Sequence, residues 1–416
     1  MNDEPHHNIE NGPEERLGGE QEDHSASPSG ERTEGRMATV LQILPNLGFG
    51  GGVERGTVEV AEAIVETGGR AIVISAGGPK VHDLNRIKAE HIELPVNSKN
   101  PFVMYANIQR IADVIIREGV DVVHARSRAP AWSACFAAKK TGIPFVTTFH
   151  GTYGLGWFLK RKYNSVMTSG DRVIAPSGFI AGHIRKIYGV PNRKIRTIHS
   201  GVDVSLFDPK SVSAERIINL ANAWRLTDGH PVIMLPGRLT RWKGQAVFIE
   251  AVAKLNRRDI RCLLVGGDQG RGEYRKELEA LVGRYDLGEV VRIVDHCDDM
   301  PAAYMLSDIV ISASTEPEAF GRVIVEGQAL GRLVVASKHG GAQETIEDGE
   351  TGWLVPPDDP EALGKAVETA LSLSGEEREA FAEKCIMSAR QNFSKESMCT
   401  KTLEVYNEVL SPQVRA

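Results

Sequence analysis

The stretch Ala38–Gly56, ATVLQILPNLGFGGGVERG, sets an apolar run against a glycine-rich loop and the start of a helical pattern. The apolar run, closed by Pro45 and Gly48, reads as a buried strand, and residues 53–67 behind the glycines have the spacing of an amphipathic helix. A glycine loop at such a turn suits a phosphate, because amides unobstructed by a Cβ can approach it closely. A dinucleotide clamp would need G-x-G-x-x-G and an acid closing the second strand. Gly50, Gly52 and Gly56 give a different spacing, Arg55 stands where the third glycine belongs, and the second strand runs out as VISAGG without an acid. What remains is a Cβ-free loop whose amides can come close to a phosphate held chiefly by another part of the chain.

Outward from this stretch the same grammar repeats. Strands are expected at TVLQILP, AIVISA, DVVHA, PFVTTF, RVIAPS and KIRTIHSG, with helices over 53–67, 104–118 and 129–141 between them. A second run starts at HPVIMLPGR and continues through RCLLVGG, VVRIV, DIVISA, LVVAS and GWLVP. Strands alternating with helices predict an α/β chain of two Rossmann-like domains, each with a parallel sheet, facing one another across a cleft. The first is expected over 37–205 and the second over 229–394, joined by 206–228, with helical patterns over 376–392 and 395–410. The last of these is expected to return to the first domain. Residues 1–36 carry ten acids against three arginines and few large apolar side chains, which predicts a disordered acidic tail ahead of a folded unit that starts at Met37.

Composition narrows the function. At 41% hydrophobic residues the chain has the makeup of a globular protein, with no apolar run near the ~20 residues that span a bilayer and no signal-peptide layout. A cytoplasmic location follows as the expectation. The five cysteines have no C-x-x-C pairing, so a disulfide framework or zinc site is not indicated. Residues 99–200 hold sixteen Lys or Arg against four acids, much of it in Lys139-Lys140, Lys160-Arg161-Lys162, Arg185-Lys186 and Arg193-Lys194-Arg196. This excess reads either as a solvated face or as an attraction to an anionic membrane surface or acceptor.

Three stretches carry chemistry. In STEPEAFGRVIVEGQALG, Ser314–Gly331, a helix is expected from Ala319 or Phe320, placing Glu318 at its start and Glu326 inside it. Eight helical residues would separate the carboxylates by ~12 Å and roughly 80°. That suits two ends of one ligand whose anionic middle rests over the helix N-terminus. Alternatively, Glu318 is a first-turn acid and Glu326 a surface residue. In PGRLTRWKG, Pro236–Gly244, Arg238 and Lys243 lie where a parallel sheet binds ligands and could steady a leaving diphosphate. In VTTFHGTYG, His150 ends a strand, but His124 and His199 occupy comparable strand ends, and spacing does not choose among them. The chain lacks D-x-D, G-x-S-x-G and P-loop signatures, which turns the reading away from a metal-held diphosphate, a hydrolase and a P-loop enzyme.

Together the E-x7-E pattern, PGRLTRWKG, GFGGGVERG and HSGVDVSLFDP resemble the retaining glycosyltransferases of family 4, of GT-B fold, over nearly all of 37–410. The resemblance implies a metal-independent transfer with no cofactor beyond the nucleotide-sugar donor. Arg238 and Lys243 would neutralise the donor's diphosphate, Glu326 would bond the ribose, and Glu318 would bond hydroxyls of the transferred sugar. Gly51, Gly52, Phe320 and Gly321 would complete the donor site, and His150 would sit beside the sugar. The family often has glycine where Ala319 stands. Further likeness in DVVHARSRAPAW, FHGTYG and YNSVMTSGDRVIAPS is to bacterial lipopolysaccharide-core mannosyltransferases. It implies a GDP-sugar rather than a UDP-sugar, an anionic glycolipid acceptor, a peripheral place on the inner membrane face, and no nucleic-acid partner. Rival expectations are a nucleotide-sugar epimerase of the same architecture and a non-catalytic nucleotide-sugar-binding protein.

Overall fold

The computed structural model describes residues 37–48, 51–153, 158–268, 270 and 272–411. The expected acidic tail and Gly50 lie outside the described residues.

Valine- and isoleucine-rich runs, buried on both faces, form two all-parallel sheets, the arrangement that helices on either side demand. The first contains β1 (Thr39–Ile43), β2 (Arg70–Ser75), β3 (Glu90–Glu93), β4 (Val122–Ala125), β5 (Phe145–Thr148), β6 (Arg172–Ala175) and β7 (Ile195–Thr197), in the order β3-β2-β1-β4-β5-β6-β7. The second contains β8 (Val232–Pro236), β9 (Arg261–Val265), β10 (Val291–Val294), β11 (Ile309–Ser312), β12 (Leu333–Ser337) and β13 (Trp353–Val355), in the order β10-β9-β8-β11-β12-β13. Each order reverses once, between β1 and β4 and between β8 and β11. Such a reversal opens a crevice at the strands' C-terminal ends.

The predicted α/β architecture of two Rossmann-like units is what the chain adopts. Predicted strands and helices are present within a few residues of their expected limits; β3, with the sequence EHIE, is the strand that the pattern did not announce. The stretch 206–228 carries a helix, Ala214–Ala223, capped by the Ser213 hydroxyl.

The chain passes between the two sheets twice. It leaves the first after β7 and returns at Ser394, where Val202 and Ser394 form a short parallel bridge. The final helix, Lys395–Leu410, then buries Met398, Val405, Tyr406 and Val409 with Val40, Val122, Val146 and Ile174 of the first sheet. Its Glu408 accepts from Arg172 at 2.7 Å and also pairs with Arg196. Arg196, expected in the basic excess, is thus committed to an internal ion pair. All five cysteines are free and buried. Among the described residues no helix is long and apolar enough to cross a membrane.

Candidate active site

The C-terminal edge of the second sheet is locked together before any ligand arrives. After β8 the chain loops through Arg238 and Lys243; after β11 it runs irregularly through Glu318. Lys243 Nζ reaches Glu318 Oε1 at 2.8 Å, and Ser314 and Ser312 donate their hydroxyls to the same carboxylate oxygen. Burial pushes the Glu318 carboxyl up, but Lys243 and these hydroxyls outweigh it, and its pKa is held below the usual carboxylate range. The backbone is equally fixed. Gly341 donates to the Glu318 carbonyl at 3.0 Å, and a Cβ on Gly340, where φ is 60°, would lie 2.4 Å from that oxygen. Arg238 is exposed and, among the described residues, its guanidinium has no carboxylate partner, which leaves it available to an anion.

The helix after Glu318 starts later than the sequence spacing suggested. Gly321 adopts φ 90° as its cap and the helix spans Arg322–Ala329, so Glu318 stands ahead of it on an irregular segment. The ~12 Å helical separation from Glu326 therefore does not apply. Phe320 turns its ring into the core, 5.6 Å from that of Phe393, so only its backbone is left for a ligand. Glu326 is buried rather than on the surface. Its Oε2 accepts from the Tyr304 hydroxyl at 2.8 Å and its Oε1 from Arg55 at 2.7 Å.

The edge of the first sheet presents a glycine-bearing helix start and three strand-end histidines. Gly51 caps the helix Gly52–Glu66, so Gly52 and Gly56 belong to that helix and not to a loop. A Cβ on Gly52 would come 3.4 Å from Arg322, and one on Gly56 would come 3.1 Å from Arg126. Structure separates the three strand-end histidines that spacing could not. His124 has both ring nitrogens occupied, by Tyr406 and Thr148 at 2.7 Å each. His199 contacts Glu344 at 3.1 Å. His150 alone of the three keeps a buried ring nitrogen, Nε2, without a partner. Burial, with Arg126 and Arg322 nearby, lowers its pKa to about 3, so its imidazole is neutral at physiological pH. Arg126 is buried too; Nη1 donates to Gln42 at 2.7 Å while Nε has no partner.

The two edges meet directly. Arg322 pairs with Glu59 at 3.0 Å, and Arg55 pairs with Glu326. Glu344 accepts from the Gly178 and Phe179 amides at 2.7 Å, at the N-terminus of the helix Gly178–Tyr188. The crevice between the sheets is thus lined by basic, acidic and imidazole groups from both.

Comparison with known proteins gives this arrangement a family. Residues 50–206 match Glycosyltransferase Family 4, and residues 218–386 match Glycosyl transferases group 1. A glycosyltransferase from Rickettsia africae ESF-5 is 40% identical, with a TM-score of 0.83, over 90% of this chain and 99% of that one. The chain belongs to the GT-B glycosyltransferases of family 4. A D-inositol 3-phosphate glycosyltransferase of Catenulispora acidiphila is 26% identical over 80% of this chain and 86% of its own. HepE from Anabaena, crystallised with UDP and glucose, shares the fold at a TM-score of 0.78 and 23% identity, over 89% of this chain and 99% of that one.

In this glycosyltransferase the structure joins Lys243 to Glu318 and, where the two edges meet, sets Glu326 of the same side against Arg55 of the helix that begins at Gly52. Four residues of that region went unnoticed as site residues in the sequence: Arg55, Glu59, Arg322 and Tyr304. Arg55 and Arg322 lie inside the quoted motifs, but their partners are 271 and 263 positions away, and no local pattern signals such a pairing.

Proposed function

We propose that the protein is a retaining, metal-independent hexosyltransferase, with mannose from GDP-mannose the favoured donor sugar and an anionic, lipid-linked glycan the acceptor. The observation that carries this reading is the Lys243–Glu318 pair beside the unpaired Arg238, across the crevice from the free imidazole nitrogen of His150. Arg238 and Lys243 supply positive charge where the departing diphosphate develops negative charge. Glu318, kept ionised, accepts from sugar hydroxyls, and Glu326 from the ribose. The bond from the sugar's anomeric carbon to the phosphate oxygen breaks as the acceptor oxygen bonds to that carbon on the same face. The acceptor's proton passes to the departing phosphate oxygen. His150, neutral, hydrogen-bonds the sugar.

The acceptor half of the reading rests on the first sheet's surroundings. The helix Pro101–Glu118 exposes Phe102 (86%) and Tyr105 (77%), one turn apart on a single face. The neighbouring helix Arg128–Thr141 exposes Phe136 one turn before Lys139 and Lys140, and Leu159 stands beside Lys160, Arg161 and Lys162. Aromatic side chains interleaved with lysines suit the interface of an anionic bilayer. A second reading, favoured by the likeness to the D-inositol 3-phosphate glycosyltransferase of Catenulispora, has a small phosphorylated polyol as acceptor.

Purified protein given GDP- or UDP-sugars with anionic glycolipid vesicles, or with inositol phosphate, separates these readings. Transfer to the glycolipid with retained anomeric configuration, unaffected by a chelator, is the expected result. Transfer only to inositol phosphate favours the second acceptor. No transfer from any donor, with no shift in Tm on adding GDP or UDP, overturns the assignment. Vesicle binding is expected to fall as salt screens the lysines.

A further inference from the structure

We propose that Arg55 is a switching residue: in the empty crevice it holds Glu326, and when donor binds it exchanges that carboxylate for the donor's diphosphate. The inference rests on the assignment of Glu326 to the ribose. Both oxygens of Glu326 are occupied, Oε1 by Arg55 at 2.7 Å and Oε2 by the Tyr304 hydroxyl at 2.8 Å. A ribose diol that approaches this carboxylate competes with these donors for its lone pairs. Tyr304 is fully buried, and burial with the adjacent carboxylate holds its hydroxyl protonated, so it stays. Arg322 is committed to Glu59 at 3.0 Å and is itself largely buried. Arg55 is the group free to move, with 38% of its side chain exposed against 8% for Glu326.

Its destination follows from where it is rooted. Arg55 sits one turn into the helix Gly52–Glu66, its amide bonded to the Gly51 carbonyl at 3.1 Å. A diphosphate against that helix N-terminus lies about 5 Å along the axis from it, within reach of a flexible side chain. A guanidinium can fork onto two phosphate oxygens, and Glu326 trades one cation for two hydroxyl donors. Glu326 keeps Arg322 Nε, 3.8 Å from its Oε1, as the remaining cation when a nucleoside diphosphate enters. With a nucleoside that has no phosphate, Arg55 is expelled with nothing to receive it. Arg55 therefore penalises nucleosides and rewards nucleoside diphosphates.

Calorimetric titration of the full chain with guanosine, GDP, uridine and UDP tests this. For the base that binds, Arg55→Gln is expected to tighten nucleoside binding several-fold and to weaken nucleoside diphosphate binding about tenfold, near 1.4 kcal/mol. Arg55→Lys is expected to fall between, keeping the charge but not the fork. Equal shifts for nucleoside and diphosphate, or no shift, overturn the switch. Glu326→Gln separates the underlying reading: weakened binding of both ligands supports the ribose contact, and unchanged binding of both removes it whatever Arg55 does.

Discussion

The two edges of the crevice are built on different terms. On the second sheet's side, Lys243, Ser312 and Ser314 converge on one oxygen of Glu318, and the Gly340–Gly341 backbone packs on its carbonyl, so the carboxylate's place is fixed in advance. On the first sheet's side, His150 and Arg126 each keep a buried nitrogen without a partner, and the glycines face cationic side chains instead of backbone. A leaving group needs positive charge fixed in advance, because reorganising it during reaction costs rate. A group that must recognise a substrate keeps its hydrogen bonds open until the substrate supplies them.

Lys243→Ala puts the largest strain on this contrast. It is expected to lower kcat by roughly 10²–10³-fold and, by leaving the largely covered Glu318 without its cation, to cost about 3 kcal/mol in urea unfolding. Adding Glu318→Gln should restore most of the stability and none of the rate. A double variant that stays unstable would show that the pair is not what secures this edge. A glycine-to-alanine comparison comes next. Gly340→Ala, at φ 60° and with its Cβ on the Glu318 carbonyl, should cost about 2 kcal/mol or more, whereas Gly52→Ala should stay within ~0.5 kcal/mol. Equal costs would erase the difference in rigidity.

The smallest effect is on pH dependence. The His150 pKa lies near 3, below its ordinary 6.5, so the unfolded chain binds the extra proton first. Its contribution to stability is complete above pH 6.5 and is lost progressively as pH falls toward 3, with a slope of at most about 1.4 kcal/mol per pH unit. His150→Asn should flatten the decline of Tm between pH 6.5 and 5. The same shift predicts that kcat/KM has no limb near 6.5 belonging to this imidazole. A decline of unchanged steepness in the variant would mean that His150 is already charged.

What was legible in the sequence follows the physics of range. Val- and Ile-rich runs that must be buried on both faces announce themselves, and so twelve of the thirteen strands among the described residues were readable. EHIE was not, because β3 is an edge strand whose residues are only partly covered and carry no apolar run. His150 was found because it follows a strand directly, and Lys243 and Glu318 because they lie in the stretches that follow buried strands at a ligand-binding edge. The start of the helix at Arg322 was missed because Gly321 was read as a helical residue, whereas its positive φ makes it the cap. Arg55 and Arg322 owe their roles to the meeting of two sheets, which neither stretch of sequence encodes alone.

The helix Lys395–Leu410 has a consequence for the order of events during synthesis. Tyr406 lies against the first sheet and bonds His124 at 2.7 Å, while Glu408 draws in Arg172 and Arg196. About two hundred residues, including the whole second sheet, are translated between β7 and these contacts. A ribosome that has completed the first sheet has therefore made a unit with Val40, Val122 and Ile174 still awaiting their cover. The nascent first half is expected to stay protease-sensitive until the final helix emerges, when both halves of the transferase become complete together.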